Sequence, residues 1–386
     1  MKYLLFVTPQ GGYFPSLVTD KQHALNKLRN SADEFIKAYP NSPLKDAVSK
    51  LRDIDTPENI DTVHRPGIYQ WHEAFNKDGD RGEVRHTLDL APSSLEDYDI
   101  IHINGAGTDT GLVEQVKTAL HSSSTIVIYN LDYSIEAWQH SFPEPRVFFK
   151  ALMLADFVFA VEPGQQAMIN YMLRHTLSKP RNKVSVPIIP HPVDVEGIRK
   201  CYVSPEERQD KVFVCYHRYD RQIYIPSLIT WDLIAERGGV KVKVPVEIYN
   251  LDPNLMSAPL GLFWGWHQGE PWEHYLYDLS HDTIGFELYT IHSHSRFPEE
   301  CAVLGVPCVG TSNAYSIAKL HPYTAHGLLD FGGMRQSLIR LVEDQEFYKQ
   351  CVNTAWTNVQ ELNHQNSKTK LLFEMNRWLQ AEGKQR

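Results

Sequence analysis

Short apolar runs alternate along this chain with longer stretches whose apolar residues recur at helical spacing. Residues 3–8 (YLLFVT) form the first run, and Pro9-Gln10-Gly11-Gly12 breaks it. Residues 21–39 then place Leu25, Leu28, Phe35 and Ile36 on one helical face. The pattern repeats. Residues 99–104 (DIIHIN) end in Gly105-Ala106-Gly107 before a helical 112–120, and 125–129 (TIVIY) end in Asn130-Leu131-Asp132-Tyr133. Residues 157–161 (FVFAV) lead through Glu162-Pro163-Gly164 into a helix at 168–173, and 184–189 form a last strand. Such alternation predicts parallel sheets covered by helices, with ligands beyond the carboxyl ends of the strands.

The stretch from Pro190 to Lys211 is charged, carries prolines and lacks periodicity, so it reads as a passage between domains. The alternation then restarts, with strands at 212–216, 244–249, 261–264, 284–290 and 307–311. Helices are expected at 227–235, near 299–304, at 334–344 and at 346–362, and an amphipathic 369–379 is expected to pack back on the first domain. The fold class is therefore α/β, with two Rossmann-like domains whose parallel sheets face each other across a cleft. The boundaries are 1–195 for the first domain, 196–211 for the linker, 212–365 for the second domain and 366–386 for the returning helix. A cleft of that kind can close and exclude water around two substrates.

Composition narrows the picture. With 386 residues, 42% of them hydrophobic, the chain fills two cores, and its net charge of −9 argues against a life spent gripping nucleic acid non-specifically. The five cysteines are scattered, with no C-x-x-C pair to suggest a disulfide framework or a thiolate zinc site. The first apolar run is too short for a signal-peptide core, and no run approaches the ~18 residues of a membrane span. A soluble cytoplasmic protein is expected. The 18 histidines include no H-E-x-x-H spacing, and neither G-x-G-x-x-G after a first strand nor the phosphate-loop string occurs, so no metal or cofactor is expected.

The most informative segment runs from Ile291 to Gly310 (IHSHSRFPEECAVLGVPCVG). Pro298 is preorganised for a first helical turn, Ser295 stands near the cap, and Gly305 ends the helix before a strand. Glu299 and Glu300 fall in that first turn. Taken alone they complement the helix dipole, worth about 0.3–1 kcal/mol each. In a cleft, the helix amino terminus seats a phosphate, and a carboxylate beside it accepts from the paired hydroxyls of a ribose.

This segment resembles the nucleotide-sugar glycosyltransferases of the GT-B fold, in particular the large retaining group called family four. Glu300-Cys301-Ala302-Val303-Leu304-Gly305-Val306-Pro307 has the layout of that family's E-A-x-x-x-G-x-P signature. Other pieces fall in the family's order over most of the chain. They are Gly11-Gly12 as the glycine-rich first loop, Asp97 to His102, Ala155 to Val161, Ile189 to Asp194, Val212 to Arg218, and Phe263 to Gly265. The departures are specific: His292 stands where the family has a first glutamate eight positions before the second. No lysine follows Arg218 at the usual distance, Arg221 and Gln222 being the nearest polar residues, and Asn130-Leu131-Asp132 replaces the family's histidine turn.

What the resemblance implies is transfer of a sugar from a nucleoside diphosphate sugar to an acceptor hydroxyl, without a metal and with retention. Charge grows on the leaving diphosphate, so preorganised cations and backbone N–H groups are the largest available catalytic contribution. Arg218 and Arg296 are the first candidates, with Arg221, Gln222, His292 and the backbone of Gly11, Gly12 and Phe297 as further donor contacts, and Glu299 and Glu300 toward the ribose. Asp132 is the general base if the transfer inverts and an orienter of hydroxyls if it retains, a helix cap or turn being the plainer reading. His294 reads as a polar loop residue. Trp264, Trp266 and Trp272 are stacking or core residues near the donor.

For the acceptor, the stretch from Arg174 to Lys183 has four cations and no acid, behind an apolar 146–154. It is a solvated turn, or the contact for a lipid headgroup at a membrane surface or for nucleic acid. Two alternatives follow: an enzyme acting on hydroxymethylated bases of DNA, as some viral glycosyltransferases do, and a non-catalytic nucleotide-sugar-binding protein.

Overall fold

The structure, a computed structural model, describes residues 1–7, 67–77, 79–85, 95–105, 111–120, 124–131, 145–176, 184–215, 241–243, 276–277 and 279–383, with isolated positions between 29 and 49. Its first half is a parallel sheet in the order β2-β1-β3-β4-β5. The strands are β1 (Lys2–Val7), β2 (Arg81–Arg85), β3 (Ile100–Gly105), β4 (Ile126–Leu131) and β5 (Phe157–Phe159). β3 and β4 are buried at every position, which is why both read as mainly apolar runs. β2 (RGEVR) carries three charged side chains, tolerable because it is the sheet's edge. β1 pairs with β2 on one side and β3 on the other, so the connections reverse there.

Helix α1 (Gln70–Phe75) lies on the sheet face that shows Tyr3 and His102, with Phe75 stacked on Tyr3 at 4.0 Å. The helices α2 (Leu112–Ala119), α3 (Pro145–Leu154) and α4 (Pro163–Tyr171) follow β3, β4 and β5. Glu162 caps α4, its carboxylate accepting from the N–H groups of Gly164 and Gln165. The strand expected at 184–189 contracts to a single parallel bridge, Ile188 with Ala160.

The second half is a parallel sheet in the order β10-β9-β8-β6-β7. Its strands are β6 (Gln209–Cys215), β7 (Lys241–Lys243), β8 (Asp282–Glu287), β9 (Cys308–Thr311) and β10 (Ala325–His326). Its helices are α5 (Val195–Arg199), α6 (Phe297–Leu304), α7 (Tyr315–Leu320), α8 (Phe331–Glu343) and α9 (Gln345–Val359). Every residue of α6 is buried. It approaches β8 closely because Gly285 has no side chain: a methyl there would stand 2.7 Å from Cys301 Sγ and 3.1 Å from the Phe297 ring.

The chain passes between the halves twice. Ile189 belongs to the first core and Val193 to the second, so Pro190-His191-Pro192 make the first crossing. The segment after it, read from sequence as a linker, carries α5, whose Val195 and Ile198 join the second core. The return runs from Leu362 in the second core to α10 (His364–Ala381), whose Leu371, Met375, Trp378 and Leu379 enter the first. The two crossings touch: Val193 N–H donates to the Leu362 carbonyl at 2.8 Å. Among the described residues, no helix is long and apolar enough to span a membrane.

Candidate functional site

The loop between β8 and α6, residues 288–296, holds the candidate residues His292 and Arg296, and its shape is set by bonds to its surroundings. Thr311 Oγ, on β9, accepts from the Tyr289 N–H at 2.9 Å and donates to the Tyr289 carbonyl at 2.7 Å. Asn313 Nδ2 donates to the Thr290 carbonyl at 3.0 Å. Ser293 exchanges backbone bonds with Asn313 and Tyr315 at 3.1 and 2.8 Å. At the far end Ser295 Oγ donates to Glu287 Oε1 at 2.8 Å, tying the loop back to the last residue of β8. Ser295 is thus not a helix cap. The cap position is Arg296, in helical geometry and with no side-chain bond to the first turn.

Glu299 and Glu300 occupy that first turn and are each only 2% exposed. Buried carboxylates need compensation. The amino end of the helix supplies part of it, and Arg296 Nε stands 3.9 Å from Glu300 Oε1. His294 Nε2 lies 2.8 Å from Glu299 Oε1, close but out of line, so that neither His294 ring nitrogen makes a hydrogen bond. The His294 side chain is 4% exposed. It is a loop residue enclosed by its neighbours, His191, with ring centres 5.9 Å apart, and Tyr315 at 6.5 Å.

The helix is anchored below. His321 Nε2–H donates to the Pro298 carbonyl at 2.8 Å, while its Nδ1 accepts from the Cys308 N–H at 3.2 Å. Burial holds this imidazole's pKa down at about 4, the bond to Pro298 opposing the shift, so it is neutral near pH 7. At the carboxyl end, the buried Arg208 donates to the carbonyls of Leu304, Gly305 and Val203 and to Tyr348 Oη. Arg199 donates to the Val303 carbonyl at 2.7 Å. Two cations thus meet the negative end of the helix whose positive end faces the loop.

The first half reaches the same place. Gly67, with φ of 74°, sits against Arg296, whose Cδ would lie 3.5 Å from a methyl at that position. Trp71 Nε1–H donates to His191 Nδ1 at 3.1 Å. Behind them the Tyr3 hydroxyl, kept protonated by burial, donates to His102 Nδ1 at 2.5 Å. His102 Nε2–H then donates to Asn130 Oδ1 at 2.7 Å, near the carboxyl end of β4.

Of the residues the sequence singles out, His292, Arg296, Glu299 and Glu300 come together on this loop and turn, with His292 exposed. The Phe297 side chain is fully buried core, so only its backbone can serve a ligand. Gly11, Gly12, Asp132, Arg218, Arg221, Gln222, the tryptophans 264, 266 and 272, and residues 177–183 of the basic stretch lie outside the described residues. Sequence reasoning passed over Trp71, His191 and the Tyr3–His102–Asn130 chain. The available signal was a polar residue inside an otherwise apolar run, as in DIIHIN and IVIYNL. Among the described residues, no group of three His, Cys, Asp or Glu is placed to hold a metal ion.

No family model matches the sequence, and no curated protein matches it. Solved structures do. A UDP-forming α,α-trehalose-phosphate synthase from Burkholderia xenovorans superposes with a TM-score of 0.59 at 9% identity, over 98% of this chain and 99% of that one. The N-terminal domain of a Candida albicans trehalose-6-phosphate phosphatase gives 0.58 at 10%, over 97% and 96%. A sucrose-phosphate synthase from Thermosynechococcus elongatus gives 0.51 at 14%, over 74% of each. At these identities the likeness is one of architecture, and it is specific. The chain has the GT-B fold, two Rossmann-like halves facing each other across a cleft.

Proposed function

We propose that this protein is a glycosyltransferase that moves a sugar from a nucleoside diphosphate sugar to an acceptor hydroxyl. The observation that carries the reading is the buried Glu300 in the first turn of α6, with Arg296 beside it, at the mouth of the second sheet in a GT-B fold. Glu300 accepts from the ribose hydroxyls. The amino end of α6 and Arg296 meet the diphosphate as its charge grows on departure of the sugar. Similarity of fold to a UDP-forming trehalose-phosphate synthase and to a sucrose-phosphate synthase supports the same class.

The described part of the site is rich in carboxylates, with Glu287, Glu299 and Glu300 all buried. Arg296 is the permanent cation it brings to the loop, so further cationic groups are needed against a diphosphate. Arg218 and Arg221 are assigned that role, with the Gly11-Gly12 backbone and Gln222. Asp132 is assigned to the acceptor hydroxyl. The transfer is taken to be metal-independent and retaining, and His292 then acts on donor hydroxyls in place of the family's glutamate.

Calorimetric titration with UDP-, GDP- and ADP-sugars tests the reading. Binding of one of them, weakened at least tenfold by Glu300→Gln and by Arg296→Ala, is the expected result. Folded protein that binds none of them refutes it. Hydrolysis of the bound donor, lost in Arg218→Ala, separates an enzyme from a binding protein.

A further inference from the structure

Both passages of the chain between its halves are held by adjacent residues of α1. Trp71 Nε1–H donates to His191 Nδ1 in the first crossing, and Gln70 Oε1 lies 2.7 Å from His364 Nε2 in the second. Because its Nδ1 accepts from Trp71, His191 carries its ring hydrogen on Nε2, and its ring plane is fixed. That ring stands at 75° to the ring of His294. Trp71 is itself held edge-on by His102 at 6.1 Å and Phe159 at 6.0 Å, both in the core of the first half. A continuous line of contacts therefore runs from that core through Trp71, His191 and His294 to Glu299.

His294 is the weak member of this line. Its ring is buried and makes no hydrogen bond, although Glu299 Oε1 is within reach of Nε2. A buried ring without hydrogen bonds of its own is oriented by what it packs against. Here that means His191 from the crossing and Tyr315 from α7. Gly67, one turn before Trp71, abuts Arg296 on the same loop. One short segment of the first half, residues 67–71, thus bears on two polar side chains that flank the Glu299–Glu300 turn.

We infer that Trp71 is a positioning residue: through His191 it sets the ring of His294, and with it the turn of α6 that receives the nucleoside diphosphate. The inference rests on reading residues 292–300 as the nucleotide-sugar site. Any rotation of one half on the other about the paired crossings moves His191 against His294, so the arrangement of the halves and the shape of the donor site are set together.

The test uses the full chain with 15N-labelled histidine rings, the His294 resonances being assigned by their loss in His294→Gln. Trp71→Phe keeps a smaller aromatic ring in the place that faces His102 and Phe159 and removes the indole N–H. The His294 resonances are expected to shift in this variant. Affinity for whichever of UDP-, GDP- or ADP-glucose binds the wild type is expected to fall about three- to tenfold, the worth of one hydrogen bond. His191→Asn keeps an acceptor for Trp71 but removes the ring. It is expected to shift His294 likewise, with the double variant no weaker in affinity than His191→Asn alone, and it carries the test should Trp71→Phe fail to fold.

A merely structural Trp71 would lower the melting temperature and leave His294 and the affinity of the folded protein unmoved. That result overturns the inference. A wild type that binds none of the three nucleotide sugars overturns the site reading instead, and the His294 shift still decides whether the line of contacts transmits.

Discussion

Acidification from about pH 7.5 to about pH 5 removes a calculable part of this protein's stability through one side chain, His321. Both of its nitrogens are committed in the neutral form, Nε2–H to the Pro298 carbonyl and Nδ1 to the Cys308 N–H. A second ring hydrogen would point at a donor inside a sealed core. Burial therefore lowers its pKa from 6.5 to about 4, the Pro298 bond opposing in part. The unfolded chain, with its ordinary imidazole, takes up the proton first as pH falls. The contribution is thus fully present above about pH 6.5 and is lost as pH drops toward 4. Each pKa unit corresponds to about 1.4 kcal/mol, so the loss attributable to His321 is about 2 kcal/mol by pH 5 and about 3 kcal/mol by pH 4. The assay is urea unfolding at the two pH values in wild type and in His321→Gln, which can still donate to Pro298 but does not titrate. The variant is expected to lose about 2 kcal/mol less than wild type between those values. Equal losses in both proteins would refute the reasoning.

Other substitutions probe the same framework. Arg208→Ala strips the carboxyl end of α6 of its donor to three carbonyls and Tyr348, and should cost about 2–4 kcal/mol in chemical denaturation. Arg208→Lys should recover little of it, because an ammonium cannot reproduce the planar fork; full recovery would contradict this assignment. Gly310→Ala would drive a methyl into the Glu287 carbonyl oxygen and Ile317, with an expected loss of about 3 kcal/mol or more, and an unchanged melting temperature would disprove the packing. Glu300→Gln should weaken the donor nucleotide far more than it changes the melting temperature, a balance read by calorimetry and thermal unfolding together.

Two kinds of information separate cleanly in this chain. The strands YLLFVT, DIIHIN and TIVIY, the helix beginning at Pro298 and ending at Gly305, and the alternation that makes two parallel sheets are all local. They follow from apolar periodicity and from proline and glycine at the positions that favour them, so the sequence alone carries them. β2 escaped notice because an edge strand needs no apolar run, and α1 because six residues hold too little periodicity to see. Glu299 and Glu300 were legible as a first turn, but their depth of burial was not. It depends on β8 and β9 closing around α6, which Gly285 permits. The neighbours that give His294 its role, His191 and Glu299, come from distant and near parts of the chain alike, and Trp71 stands 120 positions before His191. No spacing rule links such residues. Only the packing of one half against the other, through two crossings gripped by a single short helix, decided that they would meet.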